Sequence, residues 1–308
     1  MRSDSTSRLR QASHLRRSWP LHLMMIPAVL LTALFAYLPM GGLVMAFQSY
    51  KPWLGFTGSP WVGLDNFKGL FMQEDSVQVI WNTVIISVMK LLAGIGVPLV
   101  FSLLLNEIRH LAYKKAVQTL VYLPHFLSWI ILSGILIDVL SIKGIVNQAL
   151  GYAFDIQPIF FLGDGDWFRV SVVVTDVWKE FGFGTIVYLA SLAGVNPALY
   201  EAAEIDGANR LQMTFHVTLP AIAPITVVLA TLSLGNILNA GFDQIYNLYT
   251  PLVYDKGDII DTYVYRVGLL SGDFSFATAV GLFKSIVSFA LIAVSYRLAY
   301  RLANYRIF

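Results

Sequence analysis

Five charged side chains interrupt stretches that are otherwise apolar: Lys90, Asp176, Lys179, Glu180 and Lys284, with Asp138 nearer the end of another such stretch. A charge at the centre of a bilayer costs about 2.5–3.5 kcal/mol on insertion scales, so such groups face protein or water. Lys90 and Glu180 fall near the middle of their stretches, which suits an intramembrane pair that fixes helix packing. The same groups suit the lining of a polar translocation cavity, and a carboxylate at that depth also suits a coupling-ion relay. Further on, Asn236, Asn239, Asp243, Gln244 and Tyr246 close an apolar run. Amides and carboxylates can exchange hydrogen bonds with sugar hydroxyls. A tyrosine offers a ring face to the apolar face of a sugar and a hydroxyl to its rim. Asn236, Asn239 and Asp243 recur at three and four residues, which predicts one helix face. That face is either part of a sugar path or a polar seam against a neighbouring helix.

Other chemistry has no residues to carry it. The sequence has no Gly-x-x-x-x-Gly-Lys-Ser/Thr phosphate loop, so the chain is not expected to bind ATP itself. It has neither a His-Glu-x-x-His zinc motif nor a Gly-x-Ser-x-Gly nucleophile turn, so no catalytic residue and no metal ligand is assigned. His14, His22, His110, His125 and His216 do not pair at metal-ligand spacing. Gly182 and Gly184 lie inside an apolar run and predict close helix packing rather than dinucleotide binding. With no cysteine, disulfides and thiolate chemistry are excluded.

The elements that must position these residues are membrane spans. Of 308 residues, 56% are hydrophobic and 13% charged, too few charges to cover a soluble surface, and a net charge of +2 does not point to nucleic acid. A helix needs about 20 apolar residues to cross the hydrocarbon core. Runs of that length predict spans near 22–47, 78–105, 116–142, 168–194, 219–242 and 276–300. The runs are continuous rather than alternating, which favours helices over a barrel. The first run is too long for a signal-peptide core and is taken as a retained anchor. Lys and Arg concentrate in alternate segments (Arg2, Arg8, Arg10, Arg16, Arg17, Arg109, Lys114, Lys115, Arg210, Arg297, Arg301, Arg306) and are fewer in the others (Lys51, Lys68, Lys143, Lys256, Arg266). The positive-inside rule then puts both termini in the cytoplasm. The expected fold is an all-α integral membrane protein of six spans. A cytoplasmic basic segment, 1–21, precedes one transmembrane domain, 22–308, with no fixed-period repeat.

The segment at 195–220, between the fourth and fifth spans, carries the most local information. Asn196 can cap a helix with Pro197 at its first position. Leu199 to Ile205 make about two helical turns, and Gly207 suits the helix end. A second helical stretch, Arg210 to Thr218, leads into Pro220. Glu201-Ala202-Ala203, then Gly207, then Val217 and Leu219-Pro220, with Asp206 and Ala208 flanking the glycine, resembles the EAA loop of permeases in binding-protein-dependent ABC importers. That pattern has Ile where this chain has Val217. Phe35 to Gly42, Ala46 to Tyr50 and Trp61 to Phe67 look like the first span of sugar-importer permeases and the segment after it. Gly241 to Pro251 and Ile260 to Arg266 look like the branch that handles oligosaccharides or polysaccharide fragments.

The resemblance implies a transport subunit rather than an enzyme, importing sugar by alternating access through the cell membrane. It implies that Glu201, Ala202, Ala203, Asp206, Gly207, Ala208, Leu219 and Pro220 belong to a coupling element that docks on an ATPase. It also implies a second permease, two ATPase subunits holding ATP and Mg, and an extracellular solute-binding protein. The rival expectation is an ion-gradient-driven secondary transporter using Asp176 or Glu180.

Overall fold

The structure, a computed structural model, describes residues 19–303. Most of the basic segment 1–21 therefore lies outside the described residues. Helix α1, Trp19–Phe47, contains a π turn at Ala33–Tyr37 and a 3-10 stretch at Leu38–Phe47 that begins where Pro39 removes an N–H donor. After it come a short helix α2, Asp65–Met72, and the long α3, Glu74–Asn106. The region expected as a third span is broken. Helix α4, Leu111–Tyr122, runs through a 3-10 turn at Leu123–Phe126 and meets α5, Trp129–Val139, at an angle of 103°. The break has a local cause: Pro124 offers no donor, Leu127 is extended, and Ser128 caps the new helix by accepting from the Ile131 amide at 3.4 Å.

Helix α6, Ile145–Phe154, precedes α7, Gly165–Ala193. Helix α8, Pro197–Ile205, turns 70° away from α7. Helix α9 runs without a break from Arg210 to Gly235, so the second stretch of the connecting loop and the fifth span are one rod with a π turn at Thr214–Thr218. Residues 236–241 are irregular. Helix α10, Phe242–Leu248, and α11, Ile260–Val264, lead to α12, Phe274–Ala303. Among the described residues four helices are long and apolar enough to cross a membrane, and up to six spans result if each bent pair counts as one. No strand occurs among the described residues beyond an isolated bridge between Gln48 and Trp61.

Helices α3 and α7 form the central pair. Around them Ile86, Phe168, Val172, Leu132, Ile245 and Ile259 make one buried cluster, which locks α5, α10 and the segment before α11 onto the pair. A second cluster, Leu70, Val79, Ile260, Tyr263, Phe276 and Val280, joins α2, α3, α11 and α12. A third, with Tyr188, Leu192 and Ile222 at its centre, joins α7 to α9. Gly182 sits where α4 meets α7: a Cβ there would lie 2.2 Å from the Val121 carbonyl oxygen. Gly182 thus permits the close approach of α4 and α7. The apolar side chains of α1 point outward, as Met24 and Phe35 do, which suits hydrocarbon around them.

Candidate functional site

Two regions carry the polar residues singled out by the sequence. The first is a cavity of about 360 Å³ between α3, α7 and α9, closed at one end by the irregular segment 236–241. Its polar lining includes Ser87, Lys90, Asp176, Ser233, Asn236 and Asn239. Lys90 lies about 24 Å from either end of α3 at ~1.5 Å per residue, hence near mid-membrane. Its ammonium donates to Asp176 Oδ1 at 3.1 Å and to the Ala240 carbonyl at 2.8 Å, and its third contact is Gln244 Oε1. Gln244 is fully buried and donates through Nε2 to the Val172 carbonyl and to Thr175 Oγ1, both at 2.8 Å. All three ammonium donors are therefore spent on holding the irregular segment and the start of α10 to α7.

A second lysine grips the same segment from α12. Lys284 donates to Asn239 Oδ1 at 2.8 Å and to Asp261 Oδ1 at 2.5 Å. Gly241 makes the arrangement possible. It has φ +98°, which side-chain-bearing residues rarely adopt, and a Cβ on it would lie 2.9 Å from Lys90 Nζ.

These contacts correct the expected pairing. Lys90 binds Asp176, one helical turn before Glu180, and Lys284 binds Asp261. Glu180 instead accepts from Lys179 at 2.7 Å and meets His125 Nδ1 at 2.7 Å, while Lys179 also donates to the His125 carbonyl at 3.0 Å. The single helix face expected for Asn236, Asn239 and Asp243 is also corrected. Helix α9 stops at Gly235, so their spacing is no longer helical. Asn236 and Asn239 still reach the cavity, but Asp243 lies in the first turn of the next helix and is exposed outside it. Tyr246 stacks on Phe242 at 5.3 Å and meets Tyr265 edge-on at 4.9 Å, in an aromatic group beside the cavity. The sequence reading missed Ser87, Ser233, His125 and Asp261. Pro124 signalled the bend that exposes the His125 carbonyl, but nothing local signalled Asp261.

Beyond the cavity, the link from α10 to α11 is tied down by Asp258. It accepts from Thr262 Oγ1 at 2.6 Å and pairs with Arg266. Burial pushes the Asp258 carboxyl above the usual carboxylate range, against the opposing pull of that hydrogen bond and of the Arg266 charge.

The second region is α8 and the turn after it. Asn196 Oδ1 accepts from the Ala198 amide at 3.0 Å, so the predicted cap is formed. The helix ends in a pair of reversed bonds: the Ala208 amide reaches the Ala203 carbonyl at 2.9 Å and the Gly207 amide reaches Glu204 at 3.0 Å. This is a Schellman ending, and it needs a left-handed residue, which Gly207 supplies with φ +78°. The spacing from Ala203 to Gly207 and Ala208 is therefore a geometric unit. Asn209 and Gln212 then form a reciprocal capping box that starts α9. Glu201, Ala202 and Asp206 are exposed, Ala203 and Ala208 are half-buried, and Leu219 and Pro220 lie inside α9. Tyr200 bonds Thr218 at 3.0 Å, and Arg210 bonds Glu107 at the end of α3 at 2.7 Å. The result is a short helix, capped at both ends, with one face uncovered.

The family model for the binding-protein-dependent transport system inner membrane component matches residues 94–306. Protein LplB of Bacillus subtilis (strain 168) is 44% identical over 279 residues, covering 90% of this chain and 87% of that protein. The polygalacturonan/rhamnogalacturonan transport system permease protein YteP of the same strain is 42% identical, covering 91% and 87%. A solved bacterial ABC transporter involved in the import of the acidic polysaccharide alginate has a chain that superposes with a TM-score of 0.87 at 39% identity, over 95% of this chain and 99% of that one. Its counterpart in complex with an alginate pentasaccharide-bound periplasmic protein gives 0.87 at 38% identity.

Proposed function

The chain belongs to the family of binding-protein-dependent transport system inner membrane components, and from that premise we propose that it is a permease subunit of an ATP-driven importer of oligosaccharides or polysaccharide fragments. The observation that carries this reading is the likeness, along nearly the whole chain, to an alginate importer subunit at 39% identity. In this reading six spans cross the cell membrane with both termini in the cytoplasm. Helix α8 is the coupling helix, and its uncovered face enters a groove on an ATPase subunit. ATP and Mg bind on two such ATPases, not on this chain. A second permease, distinct in sequence, completes the pathway, and an extracellular solute-binding protein delivers the sugar. Closure of the ATPases on ATP pushes α8 and, through the continuous α9, the irregular segment 236–241 beside the cavity. Continuity matters here, because a helix that runs without a break transmits displacement that a loop would absorb. The cavity offers amides and hydroxyls with both donors and acceptors, the chemistry that replaces water around sugar hydroxyls.

The reading is tested in vesicles holding this chain with its co-purifying subunits. Uptake of a pectin-derived oligosaccharide should require ATP on the ATPase side and be indifferent to an imposed proton or sodium gradient. Gradient-driven uptake without ATP would replace this reading with a secondary transporter.

Substitutions in the cavity are expected to divide in two. Asn236→Ala should lower uptake per assembled complex by about two- to tenfold, the effect of losing one neutral hydrogen bond worth roughly 0.5–1.5 kcal/mol, and Asn239→Ala should lower it further, since that change also removes the acceptor by which Lys284 holds the segment. Gln244→Ala should instead lower the yield of complex, since Gln244 is buried and holds Lys90. Asp243→Ala, outside the cavity, should do neither. Normal uptake by both asparagine variants would remove the cavity from the sugar path.

A further inference from the structure

Near the start of α3 a groove of about 520 Å³ opens between α3 and the first turns of α7. Arg169, Asn82, Gln78 and Glu74 supply its polar lining, and Trp81 and Met72 are among its apolar walls. At 3.6 residues per turn, Trp81 and Glu74 stand about 180° and about 160° round α3 from Lys90, so the groove faces away from the transport cavity. Arg169 is held in place by two bonds. Its Nε donates to the Lys256 carbonyl at 2.8 Å and its Nη2 to Asn82 Oδ1. Asn82 is buried, and its own Nδ2 donates to the Asp255 and Asp258 carbonyls, both at 3.1 Å, which leaves its Oδ1 for the guanidinium. Arg169 Nη1 has no protein partner among the described residues. The neighbouring Lys256 and Asp166 pair with each other. Glu74, in the first turn of α3, is exposed and forms no ion pair among the described residues.

Depth decides what meets these two charges. Lys90 is near mid-membrane, and half of the hydrocarbon core is about 15 Å. At ~1.5 Å per residue along α3, Asn82 lies about 12 Å from Lys90, Gln78 about 18 Å and Glu74 about 24 Å. The guanidinium held by Asn82 is therefore at the edge of the hydrocarbon, and the Glu74 carboxylate is among headgroups. Trp81 lies between them in height and is 62% exposed, as suits an aromatic ring at the membrane interface. A cation at the hydrocarbon edge with an anion farther out mirrors one kind of headgroup, with phosphate next to the glycerol and ammonium at the tip. We propose that this groove binds the headgroup of a phosphatidylethanolamine molecule, its phosphate on Arg169 and its ammonium on Glu74. Guanidinium N–H groups match phosphate oxygens in geometry as well as charge. A primary ammonium brings N–H donors to the carboxylate. Phosphatidylglycerol offers the same phosphate but no cation for Glu74. The inference rests on the chain crossing a membrane and not on the transport reading.

The test is lipid retention by the purified complex, a readout that needs no transport, so this inference and the transport reading fail separately. The complex is reconstituted in nanodiscs of equal phosphatidylethanolamine and phosphatidylglycerol with matched acyl chains, moved into detergent, and the lipids that stay bound are identified by native mass spectrometry. The natural protein should retain phosphatidylethanolamine in clear excess. Arg169→Gln should lower the amount retained by about tenfold, as loss of a hydrogen bond between charged groups does. Glu74→Lys should reverse the preference toward phosphatidylglycerol. Glu74 is exposed, so its variant keeps the test open even where Arg169→Gln does not assemble. Equal retention of the two lipids by the natural protein overturns the assignment, as does an unchanged preference in Glu74→Lys. Retention of neither lipid also overturns it, because the groove is then covered by protein or filled with water.

Discussion

Lys90→Met is expected to leave most of the protein unassembled, and Asp176→Asn added to the same chain is expected to recover a large part of it. The single change strands the Asp176 carboxylate at mid-membrane and removes the donor from Gln244 Oε1 and the Ala240 carbonyl. Breaking a buried ion pair from one side costs about 3–5 kcal/mol because a charge is left without compensation. Asp176 is 26% exposed to the cavity, so the loss should fall at the lower end of that range. In the double variant no charge is stranded, and what remains is roughly 1–3 kcal/mol for each of the two acceptors, Gln244 Oε1 and the Ala240 carbonyl, that the introduced amide does not reach. The measurement is the fraction of chain that elutes with its partner subunits at matched expression. Additive losses would mean that the two residues do not interact. Lys90→Met with Glu180→Gln is the control. Those losses should be close to additive, since Glu180 is bonded elsewhere.

Gly207→Val and Ala203→Trp are expected to abolish coupled transport while leaving the spans inserted. At Gly207 the reason is backbone strain rather than space, because nothing lies within 4 Å of a Cβ there while φ is +78°. A left-handed conformation costs a side-chain-bearing residue about 1–2 kcal/mol, and a β-branched one more. The Schellman ending should open and α8 lose its direction relative to α9. At Ala203 the reason is bulk: a tryptophan on the half-buried side of α8 fills the close approach that two alanines leave. Sugar-stimulated ATP hydrolysis and ATP-driven uptake should fall together in reconstituted vesicles, with insertion checked by protease protection. Glu201→Ala should be milder, because an exposed carboxylate contributes about 0–1 kcal/mol to a contact. Full coupled transport by both bulky variants would remove α8 from its proposed docking role.

These two experiments probe features that were unequally legible beforehand. The α8 turn was readable from Asn196, Pro197 and Gly207 because each acts through its own backbone neighbours. Caps and left-handed turns involve bonds over five residues or fewer. Positions of the spans were readable for a similar reason, since insertion depends on the summed hydropathy of about 20 consecutive residues. Where a local signal was misjudged, the cost was visible. Pro124 was passed over inside an apolar run, and the third span proved to be two helices at 103°. Gly235 and Gly241 bracket the irregular segment, but a run of Asn and Asp at helical spacing was taken as continuous.

What the amino-acid sequence determined by itself is thus the helical, membrane-spanning class, the approximate spans, the absence of a recognisable nucleotide-binding motif and the geometry of the turn at Gly207. What the tertiary structure alone decided is which charges meet. Lys90 is paired with Asp176 and not Glu180 because α3 and α7 cross with the Asp176 turn facing inward. Lys284 finds Asp261 and Asn239 because α12 packs beside α11 and the end of α9. Gln244 became a buried bracket for Lys90 rather than a pathway residue by the same packing. Hydropathy and turn propensity are sums over neighbours along the chain. The rotation of one helix about its axis against another is set by side-chain interlocking between segments far apart in the chain, 154 residues for Lys90 and Gln244, and no local pattern encodes it.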